Sequence, residues 1–178
     1  MDCSDHEVNA KILLNKEVAK GKLTEQKRNE LLTQMTDEIA KLVLADNYHQ
    51  ALVMSFSAEK SIAYIALHQA HLKELETIGG LDRNVEFLPD EKKILERKAS
   101  KEGLTRPELA ILLAYTKIHI KQEILQSDLP EDPYFSDILA TAFPPTLSER
   151  YKSAMQEHSL KREIIATQLS NRVVNEMG

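Results

Sequence analysis

An all-α fold, a multi-helix orthogonal or irregular bundle, is what this 178-residue sequence predicts. Three observations lead there. No stretch of strand length alternates apolar and polar residues with β-branched enrichment, so no sheet is expected. Apolar residues recur instead at three- and four-residue spacing along most of the chain. The five glycines and six prolines fall where an element can start or stop, and none needs to interrupt a helix.

The first helix is expected from Asp5 to Ala19, with Val8, Ile12 and Leu13 inward. Ser4 is its N-cap candidate, and Asp5 and Glu7 suit the positive end of the helix dipole. Gly21 ends it. A second helix starts behind Thr24 and carries Leu31, Met35, Ile39 and Leu42 as a buried line. Asp46 and Asn47 end or bend it, and a further segment from Tyr48 to Phe56 brings Leu52 and Val53. Ser57 caps a third helix, with Ile62, Ile65, Leu72, Leu75 and Ile78 inward, closed by Gly79-Gly80. Lys22 to Ile78 contains neither Gly nor Pro, and a globular helix averages about 12 residues. The breaks in that run therefore fall to Asp, Asn and Ser.

Leu81 to Leu88 reads as a short helix stopped by Pro89, and Asp90 caps another to about Ser100, closed by Gly103. The central helix of the bundle follows, at about 106–126. Thr105 and Glu108 form a capping box at its start, and Pro107 sits in the first turn, where its missing N–H costs nothing. Leu109, Leu112, Leu113, Ile120 and Ile124 make one face, widened by Ile111, Tyr115 and Ile118. A helix apolar over most of its girth is packed on several sides. A turn at 128–133, a short helix near 134–142, and a last helix, or a pair broken near Ser159, complete the chain. Thr146 and Glu149 form a second capping box there, and Leu147, Tyr151, Ile164, Ile165, Leu169 and Val173 point inward.

Composition narrows the function classes. With 23 basic against 28 acidic residues the net charge is −5, which argues against a nucleic-acid surface. The densest basic cluster, Lys92, Lys93, Arg97, Lys98 and Lys101, is interleaved with Glu91, Glu96 and Glu102 and reads as a solvated face. One cysteine excludes an internal disulfide and suits a reducing cytoplasm. The longest apolar run, Leu109 to Tyr115, is far short of the ~20 residues that span a bilayer, so no membrane partner is expected.

Chemistry-bearing residues are sparse. Cys3 and His6 stand three apart as a thiolate–imidazole pair, but no oxyanion site or orienting group accompanies them. His68, His71 and Glu74 share one helical face that suits a divalent ion. No second half of such a site is evident, so no metal is expected and half-buried histidines explain these and His49, His119 and His158. Arg106 is a cation at a helix N-terminus, against the dipole, and an intramolecular carboxylate is its expected partner. No glycine-rich phosphate loop occurs, so no dinucleotide site is expected within these residues.

Four separated motifs together resemble the large bacterial-type NAD-specific glutamate dehydrogenases. They are Asp2-Cys3-Ser4-Asp5-His6-Glu7-Val8-Asn9 with Lys11-Ile12-Leu13-Leu14-Asn15, Gly103-Leu104-Thr105-Arg106-Pro107-Glu108-Leu109-Ala110 with Leu113-Ala114-Tyr115, Ser127-Asp128-Leu129-Pro130-Glu131-Asp132-Pro133-Tyr134, and Arg162-Glu163-Ile164-Ile165-Ala166-Thr167-Gln168-Leu169 with Asn171, Val174-Asn175 and Met177-Gly178. The resemblance implies a segment of an enzyme several times longer, with residues 1–56 as the terminal helices of the catalytic domain and residues 57–178 as a helical domain of the C-terminal region. Glutamate dehydrogenases carry a motif Asn-x-x-Gly-Val-x-x-Ser after the dinucleotide-binding fold. Asp2 and Cys3 match its two variable positions and Ser4 its serine, which implies that Ser4 holds the substrate side-chain carboxylate. No catalytic, cofactor-binding or metal residue is implied here.

The implied parent oxidises L-glutamate with NAD, at a site outside this segment. It is cytoplasmic and a homo-oligomer, and its own remaining polypeptide is this segment's partner. The segment alone is expected to be inactive scaffold or regulatory structure. Apolar residues such as Ile12 and Leu13 are expected to lack their native partners in isolation. The alternative from another class is a free-standing helical protein-interaction module.

Overall fold

In the computed structural model, residues 5–78 and 80–177 are described. Among them are ten α-helices, two short 3-10 turns and no strand, so the all-α irregular bundle predicted from sequence is the fold. The chain forms two compact units, one made of Met1–His49 with Glu123–Leu169, the other of Gln50–Gln122 with Ser170–Gly178. No described helix is long and apolar enough to cross a membrane.

Helix α1 is Asp5–Ala19, as its cap signals predict, and buries His6, Ala10, Leu13, Leu14 and Glu17. Val8, expected inward, is 45% exposed. The buried residues recur at three and four, and Val8 falls on the opposite side of that stripe. Thr24 caps α2, Glu25–Gln34, by accepting from the Lys27 N–H. The chain then breaks at Met35, well before Asp46. Thr33 and Thr36 turn their hydroxyls back onto the carbonyls of Asn29 and Thr33, a local bond that competes with helix continuation.

Helix α3, Thr36–Lys60, runs unbroken through Asp46, Asn47 and Ser57, correcting the sequence expectation at all three. Ser57 is buried inside the helix rather than capping the next one. The second break is the turn at 61–64, which leaves Ile62 exposed, and α4 is Ile65–Thr77.

Residues 81–88, expected as a helix, form a turn. Asp82 Oδ1 accepts the N–H groups of Asn84 and Val85, and Phe87 is left-handed at φ 54°. Buried Arg83 pins this turn, reaching the Pro89 carbonyl at 3.2 Å and the carboxylates of Glu76 and Glu91 at 2.9 and 3.1 Å. Asp90 caps α5, Glu91–Ala99, through the Lys93 N–H. Gly103 has a steric reason to be glycine, because a Cβ there would lie 2.4 Å from Ser61 Oγ and 2.6 Å from the Ser61 carbonyl carbon.

The long helix expected at about 106–126 is α6, Arg106–Gln126. The Thr105 N–H donates to Glu108 Oε2 at 2.7 Å, so that half of the capping box is in place. Arg97 of the basic cluster turns inward and clamps the same carboxylate with two bonds of 2.6 and 2.9 Å. Leu109 and Leu112 join Ile65, Leu72, Leu75, Leu81, Leu88, Ile94 and Leu104 in one core. Ile118 remains half exposed, so α6 is not buried around its whole girth.

The other unit contains α7, Ser136–Thr141, α8, Pro145–Arg150, and α9, Lys152–Gln156. Helix α10, Lys161–Met177, has residues in both units. Helix α1 packs against α2 and α9, and α9 also meets α7 and α8. The second capping box does not form, because Thr146 gives its N–H and hydroxyl to Glu38 at 3.1 and 2.7 Å. Arg162 places its cation on the last carbonyls of α6 and the following turn, Leu125 and Ser127, at 2.8 and 3.2 Å, where the negative helix end favours it.

Candidate functional site

The start of α1 is where sequence reasoning places the substrate residue. Ser4 and Cys3 lie outside the described residues. His6, two positions on, is 4% exposed. Its Nδ1–H donates to the Ala142 carbonyl at 2.7 Å, and its Nε2–H donates to Asp46 Oδ2 at 3.0 Å. Two acceptors require two N–H groups, so the ring is an imidazolium. The Asp46 hydrogen bond raises its pKa against the opposing pull of burial, and the Ala142 carbonyl adds to the rise. With both nitrogens donating, His6 has no lone pair left to accept a proton, and the Cys3 half of the expected pair lies outside the described residues.

One face further along, His158 is buried in the opposite protonation state. Its Nε2–H donates to the Asn9 carbonyl at 3.2 Å, and its Nδ1 accepts the Leu160 N–H at 3.1 Å. Phe143 meets the ring edge-on at 5.6 Å. Burial lowers its pKa, outweighing the Asn9 bond, and one donor plus one acceptor is the pattern of neutral imidazole. Lys16 also donates to the Glu157 carbonyl, and Lys20 pairs with the Glu157 carboxylate. Together with the Glu38–Thr146 pair, these bonds tie α1 and α3 to residues 142–158. Sequence periodicity does not reveal them, because each joins positions more than a hundred residues apart or, for Asp46, a side chain expected at a helix end.

In the unit built on α6, the histidine face divides. His71 Nε2 donates to Thr116 Oγ1 at 2.8 Å, and its Nδ1 lies 3.3 Å from Glu74 Oε2. His68 shares neither partner. Among the described residues no three His, Cys, Asp or Glu side chains are grouped to hold a metal ion. Arg106 reaches Ser55 Oγ at 3.5 Å rather than the carboxylate expected. Two cavities open on this unit. One of about 530 Å³ is bordered by Leu75, Leu81, Ile111 and Ile118, with the Tyr115 hydroxyl donating to Glu86 at 2.6 Å beside it. The other, about 250 Å³, contains His68 and His71 in its walls.

Comparison with known proteins supplies what local chemistry does not. Residues 101–178 match the family described as "Glutamate dehydrogenase, C-terminal". Residues 1–57 match "Bacterial NAD-glutamate dehydrogenase, catalytic domain". Over all 178 residues the chain is 46% identical to the NAD-specific glutamate dehydrogenase of Pseudomonas aeruginosa, 45% to that of Halomonas elongata and 42% to that of Mycobacterium tuberculosis. In each case the chain spans 11% of the relative's length.

Proposed function

The chain belongs to the bacterial NAD-specific glutamate dehydrogenase family, and on that premise we propose that it is the structural junction between the catalytic domain and the C-terminal helical region of such an enzyme. In this reading residues 1–56 are the terminal helices of the catalytic domain, and residues 57–178 are a helical domain of the C-terminal region. The parent converts L-glutamate and NAD to 2-oxoglutarate, ammonia and NADH. The segment alone is inactive, because the residues that bind NAD and move the hydride lie elsewhere in the parent. Ser4 donates a hydrogen bond to the substrate side-chain carboxylate. The parent is a cytoplasmic homo-oligomer, and this segment's partner is the rest of its own polypeptide, with no nucleic acid, membrane or metal.

One observation carries the junction reading. Residues matched to the catalytic domain and residues matched to the C-terminal region knit into a single compact unit. The bonds between His6 and Ala142, Asn9 and His158, and Glu38 and Thr146 all join the two. Charged and buried hydrogen bonds of this kind contribute about 1–3 kcal/mol each when one partner is removed, so the C-terminal region holds the helix that follows Ser4.

Exposed apolar residues also favour a longer parent. Leu13 is fully buried and Ile12 is half-buried, so their partners are present within the chain. Leu44, Tyr48, Leu52 and Phe56 instead recur every four residues along α3 and are 38–66% exposed. A row of large apolar residues on one helix marks an interaction face. End-to-end identity to dehydrogenases favours the parent's own catalytic domain as its cover over the partner of a free-standing module.

The test is a glutamate/NAD assay of the intact polypeptide and of this chain alone. NADH formation by the intact protein and none by the chain is expected. An inactive intact protein overturns the parent reaction, and turnover by the chain overturns the division of labour. Deleting residues 57–178 from the intact enzyme then separates scaffold, read as lost folding, from regulation, read as lost cooperativity in a protein that still folds.

A further inference from the structure

His6 sits in the first turn of α1, two residues after Ser4. Two trans peptides keep Cα atoms within about 7 Å of each other, so whatever fixes this turn also limits where Ser4 can be. Three elements meet at the His6 ring. Its Nε2–H reaches Asp46 on α3 at 3.0 Å, and its Nδ1–H reaches the carbonyl of Ala142, the residue that closes α7, at 2.7 Å.

The two acceptors differ in what they can do without the ring. Ala142 is 1% exposed and its bond to His6 is buried. The Asp46 side chain is 30% exposed, so water can take over its carboxylate. A neutral imidazole carries one N–H, and leaving the buried carbonyl unpaired is the less favourable choice. Loss of the ring proton therefore keeps the Ala142 bond and turns a lone pair toward the Asp46 carboxylate, which breaks the tie between α1 and α3. The groups facing the ring set where this happens. Asp46 bonds to it from α3, Asp5 adds a weaker attraction from α1 itself, burial opposes both, and the pKa stands above 6.5. The end of α7 contributes the neutral Ala142 carbonyl, and His158, beyond α9, is turned to Asn9 and Leu160 instead. The tie is complete below about pH 6.5 and is lost as pH rises through the folded-state value.

We propose that His6 is a positioning residue for substrate binding: its protonated ring fixes the first turn of α1, and with it Ser4, and release of the proton lowers the affinity for glutamate. The proposal rests on the reading of Ser4 as the residue that holds the substrate side-chain carboxylate. That carboxylate does not react, so its hydrogen bond serves the ground state and the transition state alike, and weakening it falls on KM rather than kcat.

Steady-state kinetics of the intact enzyme at pH 6–9 test this, with KM for glutamate and kcat read separately in wild type, Asp46→Asn, His6→Gln and Ser4→Ala. In Asp46→Asn the amide N–H donates to Nε2 of a neutral ring while Nδ1–H still serves Ala142, so both ties persist without the proton. In His6→Gln a single amide does not span the two acceptors and does not titrate. Between pH 6 and 9 the wild-type KM should rise about fivefold relative to that of Asp46→Asn, the effect of one modest hydrogen bond, with parallel kcat profiles. The KM of His6→Gln should be raised at pH 6 and meet the wild-type value at pH 9. Groups elsewhere in the enzyme titrate alike in these proteins and cancel in the comparison. Circular dichroism verifies each fold, and either variant at the His6–Asp46 pair decides alone, since each has its own profile. In an active enzyme, KM profiles that stay parallel to wild type, or a change confined to kcat, overturn the positioning role alone. A Ser4→Ala enzyme with unchanged KM overturns the substrate role of Ser4, and an intact polypeptide without glutamate/NAD turnover overturns the parent reaction, each taking the proposal with it.

Discussion

Both ring nitrogens of His6 face acceptors, which sets the sign of its pH dependence. Its folded-state pKa lies above the ordinary 6.5, so its contribution is complete below about pH 6.5 and is lost as pH rises through the folded value. His158 has the reverse shift, and its contribution is complete above about pH 6.5 and is lost as pH falls. Urea denaturation across pH 5–9 should show the alkaline decline flattened in His6→Gln, with about 1–3 kcal/mol lost at acid pH. An unchanged alkaline limb would refute the imidazolium assignment. Gly103→Ala is predicted to cost about 1–3 kcal/mol, the usual penalty of overpacking, because the new methyl meets the Ser61 backbone. Sequence marks Gly103 as a helix terminator, but its contact with Ser61 is legible only once the turn at 61–64 is known. The partner of His6 is hidden in the same way, since Asp46 reads as a helix breaker until α3 is seen to run through it.

Cap signals carry the legible part at the scale of elements. Thr and Asp positions before an apolar repeat locate the starts of α2, α5 and α6, since such caps act through bonds to residues two or three positions away. Where the deciding bond is distant, the local reading fails. Glu38 takes the Thr146 hydroxyl that Glu149 was expected to share. The turn at 82–88 is set by Asp82 and by Arg83 bridging to Pro89 and Glu91. For α6, burial pushes the Glu108 carboxyl up, but the Arg97 clamp and the Thr105 N–H outweigh it and leave the pKa below 4.5. The contribution of Glu108 is therefore complete above about pH 4.5 and lost as pH falls through the folded value. Glu108→Ala should cost about 2 kcal/mol at neutral pH and lose less stability than the parent chain on acidification, as read by thermal melts. Along α3, Leu44→Ser and Tyr48→Ser should leave the isolated chain within about 0.5 kcal/mol. In the intact enzyme the same changes should reduce stability or assembly. Equal behaviour in both would refute a covered face.

For the whole molecule, the sequence reading is linear and the packing is not. The match to the catalytic domain ends at residue 57 and the match to the C-terminal region begins at 101. The compact units each draw on two separated stretches, because α1 finds its neighbours in α2 and in α9. Periodicity identifies a buried face without naming what covers it, so such interleaving is invisible before the fold is known. Residues 1–56, produced as a separate peptide, should show weak helicity and poor dispersion in proton NMR, whereas residues 57–178, which hold the whole core around α6, should keep that unit folded. Mixing the two should order residues 1–56. Independent folding of residues 1–56 would show that the interlocked bonds are dispensable. Interleaving also sets a schedule for biosynthesis. Within this segment, α9 leaves the ribosome more than a hundred residues after α1 and α2, roughly ten seconds at ordinary elongation rates. Their buried leucines spend that interval without the cover that α9 supplies. The core around α6 comes from one continuous stretch, so within this segment that core can close before the unit that waits for α9.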